Sequence, residues 1–199
     1  MKLIGRYDSP FVRRVGVSLH VLGLPFEHVP LSPFSQAAEF RQLAPVGRMP
    51  ALMLDDGEVL IDSAAILDHL DELVGPDRAL IPPAGPARRR CLNILATATA
   101  ACDKAIAVNY ERRRPAELIF GDWIARCREQ LDAALRKLEA FELALDDHAA
   151  LTQCEITAGC AYAYIRRVEP EAAASGRYPW LDRLHDACEK RGAFAACPQ

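Results

Sequence analysis

Apolar residues follow two rhythms up to about Val74 and one rhythm beyond it. Lys2 to Tyr7 and Phe26 to Val29 are short apolar-rich runs that predict strands. Between them, Pro10 to Leu22 carries apolar residues at helical spacing and predicts a helix closed by Gly23. Ser35 to Leu43 predicts a second helix. Ala51 to Leu54 and Val59 to Ile61 flank Asp56-Gly57, the short-range signal of a hairpin. Asp62-Ser63 then precedes Ala64 to Leu73, where Ile66, Leu67, Leu70 and Leu73 recur at helical spacing. The predicted order is strand, helix, strand, helix, strand, strand, helix.

The pattern changes after a cluster of chain breakers: Gly75-Pro76, Pro82-Pro83 and Gly85-Pro86. A boundary there divides the chain into a first domain, 1–78, and a second, 86–199. The second reads as helical throughout, over Arg88 to Arg113, Glu117 to Leu145, Thr152 to Val168 and Trp180 to Arg191, with Pro115 and Pro179 marking breaks. No internal repeat interrupts it.

Composition narrows the function. Of 199 residues, 51% are hydrophobic, enough for a substantial core. A net charge of -3 with dispersed Lys and Arg argues against nucleic acid as a partner. The two basic clusters, Arg88 to Arg90 and Arg112 to Arg114, read as solvated helix surface. Met1-Lys2 leads into too few apolar residues for a signal, and no stretch is expected to span a bilayer, so a cytoplasmic protein without membrane attachment is predicted. Seven cysteines, none before Cys91 and none in a Cys-x-x-Cys pair, predict reduced, buried thiols, and no metal site is predicted.

Ser9 is the first candidate for chemistry. It stands where the first strand hands over to the first helix, where free N–H groups and the positive end of the helix dipole favour an anion or thiolate. Ser followed by Pro is also an ordinary helix start, with the serine as N-cap. Both readings stay open on the residues alone.

Four motifs in order resemble the glutathione S-transferase superfamily. They are Ser9-Pro10-Phe11-Val12-Arg13-Arg14-Val15, the loop Ala44-Pro45-Val46-Gly47-Arg48-Met49-Pro50-Ala51-Leu52, the segment Asp62-Ser63-Ala64-Ala65-Ile66, and the helix start Thr152-Gln153-Cys154-Glu155-Ile156. The last has the form of a capping box, in which Glu155 reaches back to the cap backbone. The resemblance implies an α+β chain with a thioredoxin-like N-terminal domain (βαβ-ββα), an all-α C-terminal domain, glutathione as co-substrate, and a homodimer.

Site roles follow from the resemblance. Met49, before a cis Pro50, would pair its backbone with the cysteinyl unit of glutathione. Ser63 and Asp62 would meet the carboxylate and ammonium of the γ-glutamyl arm, and Arg48 the glycyl carboxylate. Structurally, Ser63 also reads as an N-cap, and Asp62 as a charge that suits the helix dipole. Ser9 would stabilise the thiolate, with the Phe11 N–H as a second donor. A free thiol ionises near pH 8.5, and lowering that by about two units takes roughly 2.7 kcal/mol. One hydrogen bond to a charged group supplies about 1.5–3 kcal/mol, and a helix N-terminus adds to it.

A small hydrophobic electrophile would complete the reaction. Asn109, Tyr110 and Arg113, near the end of the first helix beyond the linker, are candidates to line its pocket. Tyr7, in the first strand, reads as packing or as a site wall. The alternatives are a non-enzymatic binding module on the same fold and a glutathione-dependent redox enzyme. The second would need a thiol where Ser9 stands.

Overall fold

The computed structural model describes residues 1–142 and 150–199. They form two compact units: Met1–Gly85 together with Glu189–Gln199, and Pro86–Cys188.

The first unit follows the predicted order: β1 (Lys2–Ile4), α1 (Pro10–Leu22), β2 (Glu27–Val29), α2 (Ala37–Leu43), β3 (Ala51–Met53), β4 (Val59–Leu60) and α3 (Ser63–Val74). The sheet runs β2-β1-β3-β4, with β1 parallel to β2 and antiparallel to β3, and β3 antiparallel to β4. Fully buried Leu3, Ile4, Val12, Val15, Leu19, Leu52, Ile66 and Leu70 form its core. Gly23 closes α1 in the left-handed conformation (φ 66°), which glycine adopts without a Cβ clash.

β1 stops short of the predicted Tyr7. Gly5 leaves the strand at φ 133°, and its N–H bonds the carbonyl of Val29 at 3.0 Å. Tyr7 therefore belongs to the β1–α1 connection rather than to the sheet.

The C-terminal residues also depart from expectation. The last helix was predicted to run to Arg191 within the second domain. Instead α7 ends at Glu189, and residues 189–199, including α8 (Gly192–Ala195), fold with the first unit. Arg13 of α1 supplies the reason. Its guanidinium, 2% exposed, donates to both Glu189 carboxylate oxygens at 2.7 and 2.8 Å and to the Cys197 carbonyl at 2.8 Å. It also lies over the Phe194 ring, 5.2 Å from its centre. A buried cation needs such partners, and here the chain terminus provides them.

The second unit is helical: α4 (Gly85–Glu111), a 3-10 turn at Ala116–Leu118, α5 (Gly121–Glu139), α6 (Gln153–Val168) and α7 (Pro179–Glu189). α5 begins four residues later than predicted, because Pro115 and the 3-10 turn occupy the start and Glu111 accepts the Phe120 N–H at 2.9 Å. The predicted continuation over 143–145 lies outside the described residues.

α6 is buried along most of its length and carries the expected cap: the Thr152 N–H donates to Glu155 at 2.9 Å, and Thr152 Oγ1 accepts the Cys154 N–H at 3.2 Å. All seven cysteines are buried, and none is part of a disulfide.

Two further expectations need correction. α4 is, by length and composition, apolar enough to cross a membrane, although no such stretch was expected. Its buried positions, Cys91, Ile94, Leu95, Ala98, Ala101, Cys102, Ala105 and Val108, recur every three or four residues, as on a helix with one face in a protein core. Arg112 is likewise more than solvated surface. With Arg128 it holds Glu169, whose side chain is 1% exposed.

Candidate functional site

The register of the sheet collects three of the sequence motifs at one end. Ile4 at the end of β1 pairs with Ala51 at the start of β3, so the chain leaving β1 and the Met49-Pro50 segment entering β3 lie side by side. β4 runs antiparallel to β3, Met53 opposite Val59 and Leu52 opposite Leu60. Asp62-Ser63, which follows it, therefore emerges at that same end.

Gly5 permits this convergence. A β-carbon there would stand 2.7 Å from Val12 Cγ2 and 3.0 Å from Met49 Cβ, so only glycine lets the β1 exit, α1 and the Met49 segment approach so closely.

Ser9 caps α1. Its oxygen takes a long hydrogen bond, 3.5 Å, from the Val12 N–H, and the side chain is 8% exposed. A hydroxyl has one proton and two lone pairs, so this cap leaves the proton available. Pro10 has no N–H, and the Phe11 N–H lies in the first turn, where a helix has no internal acceptor for it. Hydroxyl and amide together make a donor pair at the positive end of a 13-residue helix.

The Met49–Pro50 peptide is cis, as the resemblance implies, and Pro50 is buried. Arg48 before it is exposed. The Ile61–Asp62 peptide is also cis.

Asp62, rather than Ser63, is the N-cap of α3, its Oδ1 accepting the Ala64 N–H at 2.9 Å. Ser63 is the first helical residue, and its hydroxyl has another partner. Arg14, 4% exposed, donates to Ser63 Oγ from Nε at 3.1 Å and from Nη2 at 2.7 Å. With both lone pairs so engaged, the hydroxyl proton must be given elsewhere. The two motifs are thus joined by a buried cation that stands behind the α3 N-terminus.

Arg14 is the residue that the sequence reading missed. Its signal was present: two consecutive arginines inside the apolar stretch from Val12 to Leu22, where one helix face cannot expose both.

Tyr7 serves packing. Its ring stacks on His28 at 3.9 Å between centres, and a β-carbon on Gly16 would stand 2.6 Å from it. Burial first, then its hydrogen bond and electrostatic contact with Cys197, push its phenol far above the ordinary value.

Asn109, Tyr110 and Arg113 belong to the helical unit. Asn109 is half-buried and hydrogen-bonds Tyr164. Tyr110 is 44% exposed, and the Arg113 guanidinium lies over its ring at 5.6 Å. Among the described residues, no three His, Cys, Asp or Glu side chains are grouped to hold a metal ion.

A thioredoxin-like unit with an N-capped helix, a cis proline and a second capped helix at one end of its sheet, followed by an all-helical unit, defines the glutathione S-transferase fold. The chain belongs to the glutathione S-transferase family. Residues 3–78 match the model of the glutathione S-transferase N-terminal domain. The GST-like protein YibF of Escherichia coli K12 is 31% identical over 198 residues, covering 98% of this chain and 96% of that protein. Among solved structures, a glutathione transferase family member from Pseudomonas fluorescens Pf-5 with bound glutathione is 33% identical. It superposes with a TM-score of 0.86, covering 98% of this chain and 97% of that one. A glutathione S-transferase from Methylobacterium radiotolerans in complex with glutathione sulfonate is 30% identical, with a TM-score of 0.88 over 98% of this chain and 93% of that one.

Proposed function

We propose that the protein binds glutathione and activates its thiol for attack on a small hydrophobic electrophile. The observation that carries this reading is the convergence of Ser9, Met49-Pro50 and Asp62-Ser63 at one end of the sheet, each offering what one part of the tripeptide requires. The relative from Pseudomonas fluorescens, which holds glutathione, supports it.

In this reading the γ-glutamyl carboxylate takes the Ser63 proton at the N-terminus of α3, with Arg14 adding positive charge behind it. Asp62 keeps one carboxylate oxygen beyond its cap bond for the ammonium group. The backbone of Met49 pairs with the cysteinyl unit, and Arg48 meets the glycyl carboxylate. Ser9 donates its proton to the sulfur, with the Phe11 N–H alongside, and the thiolate attacks the electrophile. A hydrogen bond to a charged sulfur contributes about 1.5–3 kcal/mol, close to the roughly 2.7 kcal/mol needed for a two-unit fall in thiol pKa. No general base is required. Asn109, Tyr110 and Arg113 are the proposed contacts of the electrophile, and the active species is proposed to be a homodimer in the cytoplasm.

Two measurements test this. Glutathione at millimolar concentration should raise the thermal midpoint, and Ser9→Ala should lower conjugation of an aryl halide about tenfold to a hundredfold while glutathione affinity stays within about twofold. Absence of glutathione binding would remove the proposal. Binding without turnover in the wild type would leave a ligand-binding module, and an undiminished rate in Ser9→Ala would transfer the role to the Phe11 N–H.

A further inference from the structure

The helical unit brings together two thiols that the proposed conjugation does not use. Cys91 lies on α4 and Cys154 at the second position of α6, 63 residues apart in the chain, and their Sγ atoms share a hydrogen bond at 3.0 Å. A disulfide has its sulfurs about 2.05 Å apart, so closing one here takes about 1 Å of approach.

The two sulfurs are not equivalent. Cys154 stands in the first turn of α6, where the helix dipole favours a thiolate. The hydrogen bond with Cys91, aided by Thr152 and the Arg90 charge, draws its thiol below the ordinary value, against burial and the charge of Glu155. At 8% exposure it is also the most accessible cysteine, Cys91 being 3% exposed and the other five at most 2%. Elsewhere the environment works the other way: burial pushes the Cys197 thiol up to about 11.

We propose that Cys91 and Cys154 are a reversible dithiol–disulfide pair, oxidised by a hydroperoxide. The Cys154 thiolate attacks one peroxide oxygen and breaks the O–O bond. Cys154 becomes a sulfenic acid, and the departing oxygen takes a proton and leaves as alcohol or water. Cys91 Sγ then attacks Cys154 Sγ, forming the S–S bond and expelling hydroxide, which leaves as water with the Cys91 proton. Two thiols are oxidised and the peroxide is reduced by the same two electrons. Two molecules of a small thiol reverse the change and leave as their own disulfide. The bond would tie α4 to α6, and both cysteines belong to the helical unit.

The test uses the full chain, reduced and then treated with hydrogen peroxide. Two of the seven thiols should be lost, the mass should fall by two hydrogens, and non-reducing peptide mapping should recover one crosslinked pair, Cys91 with Cys154, which dithiothreitol reverses. In Cys91→Ala the reaction should stop at a Cys154 sulfenic acid that dimedone captures, whereas Cys154→Ala should give neither crosslink nor adduct. Seven thiols surviving peroxide would overturn the proposal, and so would a crosslink or dimedone adduct confined to other cysteines. The mapping of the wild-type chain decides the matter if either variant folds poorly.

Discussion

In the proposed reading Ser63 serves the fold and a ligand at once. Its two acceptor positions hold Arg14, which pins α1 to α3, and its single proton is what remains for a carboxylate. Arg14 then acts as a positioning residue, and its loss should differ in kind from the loss of Ser9. Arg14→Met should raise the KM for glutathione about tenfold to a hundredfold, the equivalent of one charge-assisted hydrogen bond of about 1.5–3 kcal/mol, while kcat stays near the wild-type value. Arg14→Lys, which keeps the charge without the planar fork, should recover part of that loss. Steady-state kinetics with glutathione as the varied substrate read both, and a fall in kcat at unchanged KM would contradict the assignment. At this scale the motifs located local geometry: the Ser9 cap, the cis Met49–Pro50 peptide and the helix start at Asp62-Ser63. The sequence marked Arg14 as an arginine in an apolar stretch but named no partner for it, because the bond to Ser63 joins residues 49 positions apart that no periodicity relates. It also misassigned the cap of α3 by one residue, since Asp and Ser are equally good caps and only the backbone turn chooses between them.

Among the elements, those built from local contacts were legible and those built from distant ones were not. α1 matches its predicted ends, and α6 its predicted cap, because proline, glycine and the capping box are local signals. β1 ended early because the φ of Gly5 follows from the close approach of Val12 and Met49, a tertiary fact. The residues from Glu189 onward were assigned to the wrong unit for the same reason: Arg13 reaches Glu189 across 176 positions and Cys197 across 184. That clamp carries an asymmetric prediction. Glu189→Ala leaves a guanidinium that is 2% exposed without this carboxylate, which should destabilise the first unit by about 3 kcal/mol or more. Arg13→Met removes the buried charge, and the Glu189 side chain, 35% exposed, is solvated more readily, so the loss should be about 1–2 kcal/mol. Hydrogen exchange along α1 and residues 189–199 measures both. Equal protection in the two variants would show that the cation's burial does not set the energetics of the clamp.

For the molecule as a whole, buried acids that ionise only at high pH make sensitivity to alkali a common property of both units. In the first, burial pushes the Cys197 thiol up to about 11 against the Tyr7 hydrogen bond and the Arg13 charge, and Tyr7 itself lies well above its ordinary value. In the second, burial raises Tyr164 to about 12, burial with the Asp132 hydrogen bond raises Tyr178 to about 12, and burial with Asp182 pushes Tyr162 higher still. Each group is held in its neutral form by the fold. The unfolded chain gives up these protons from the ordinary thiol and phenol values of 9.0 and 10.0, so over that range the native state binds more protons. Their contribution is complete below about pH 9 and is lost as pH rises through 11 and 12. The thermal midpoint should therefore be unmoved by these groups from neutrality to about pH 9 and should fall steeply above it. Cys197→Ala removes the one thiol among these five groups, so the share of the fall that they carry should begin about one unit later, near the ordinary phenol value of 10.0. Calorimetric scans across this range, with absorbance at the phenolate band recorded in parallel, decide the question. A midpoint constant to pH 11, or phenolate from more than one of the five tyrosines appearing before the molecule unfolds, would mean that these protons are not what the native state holds.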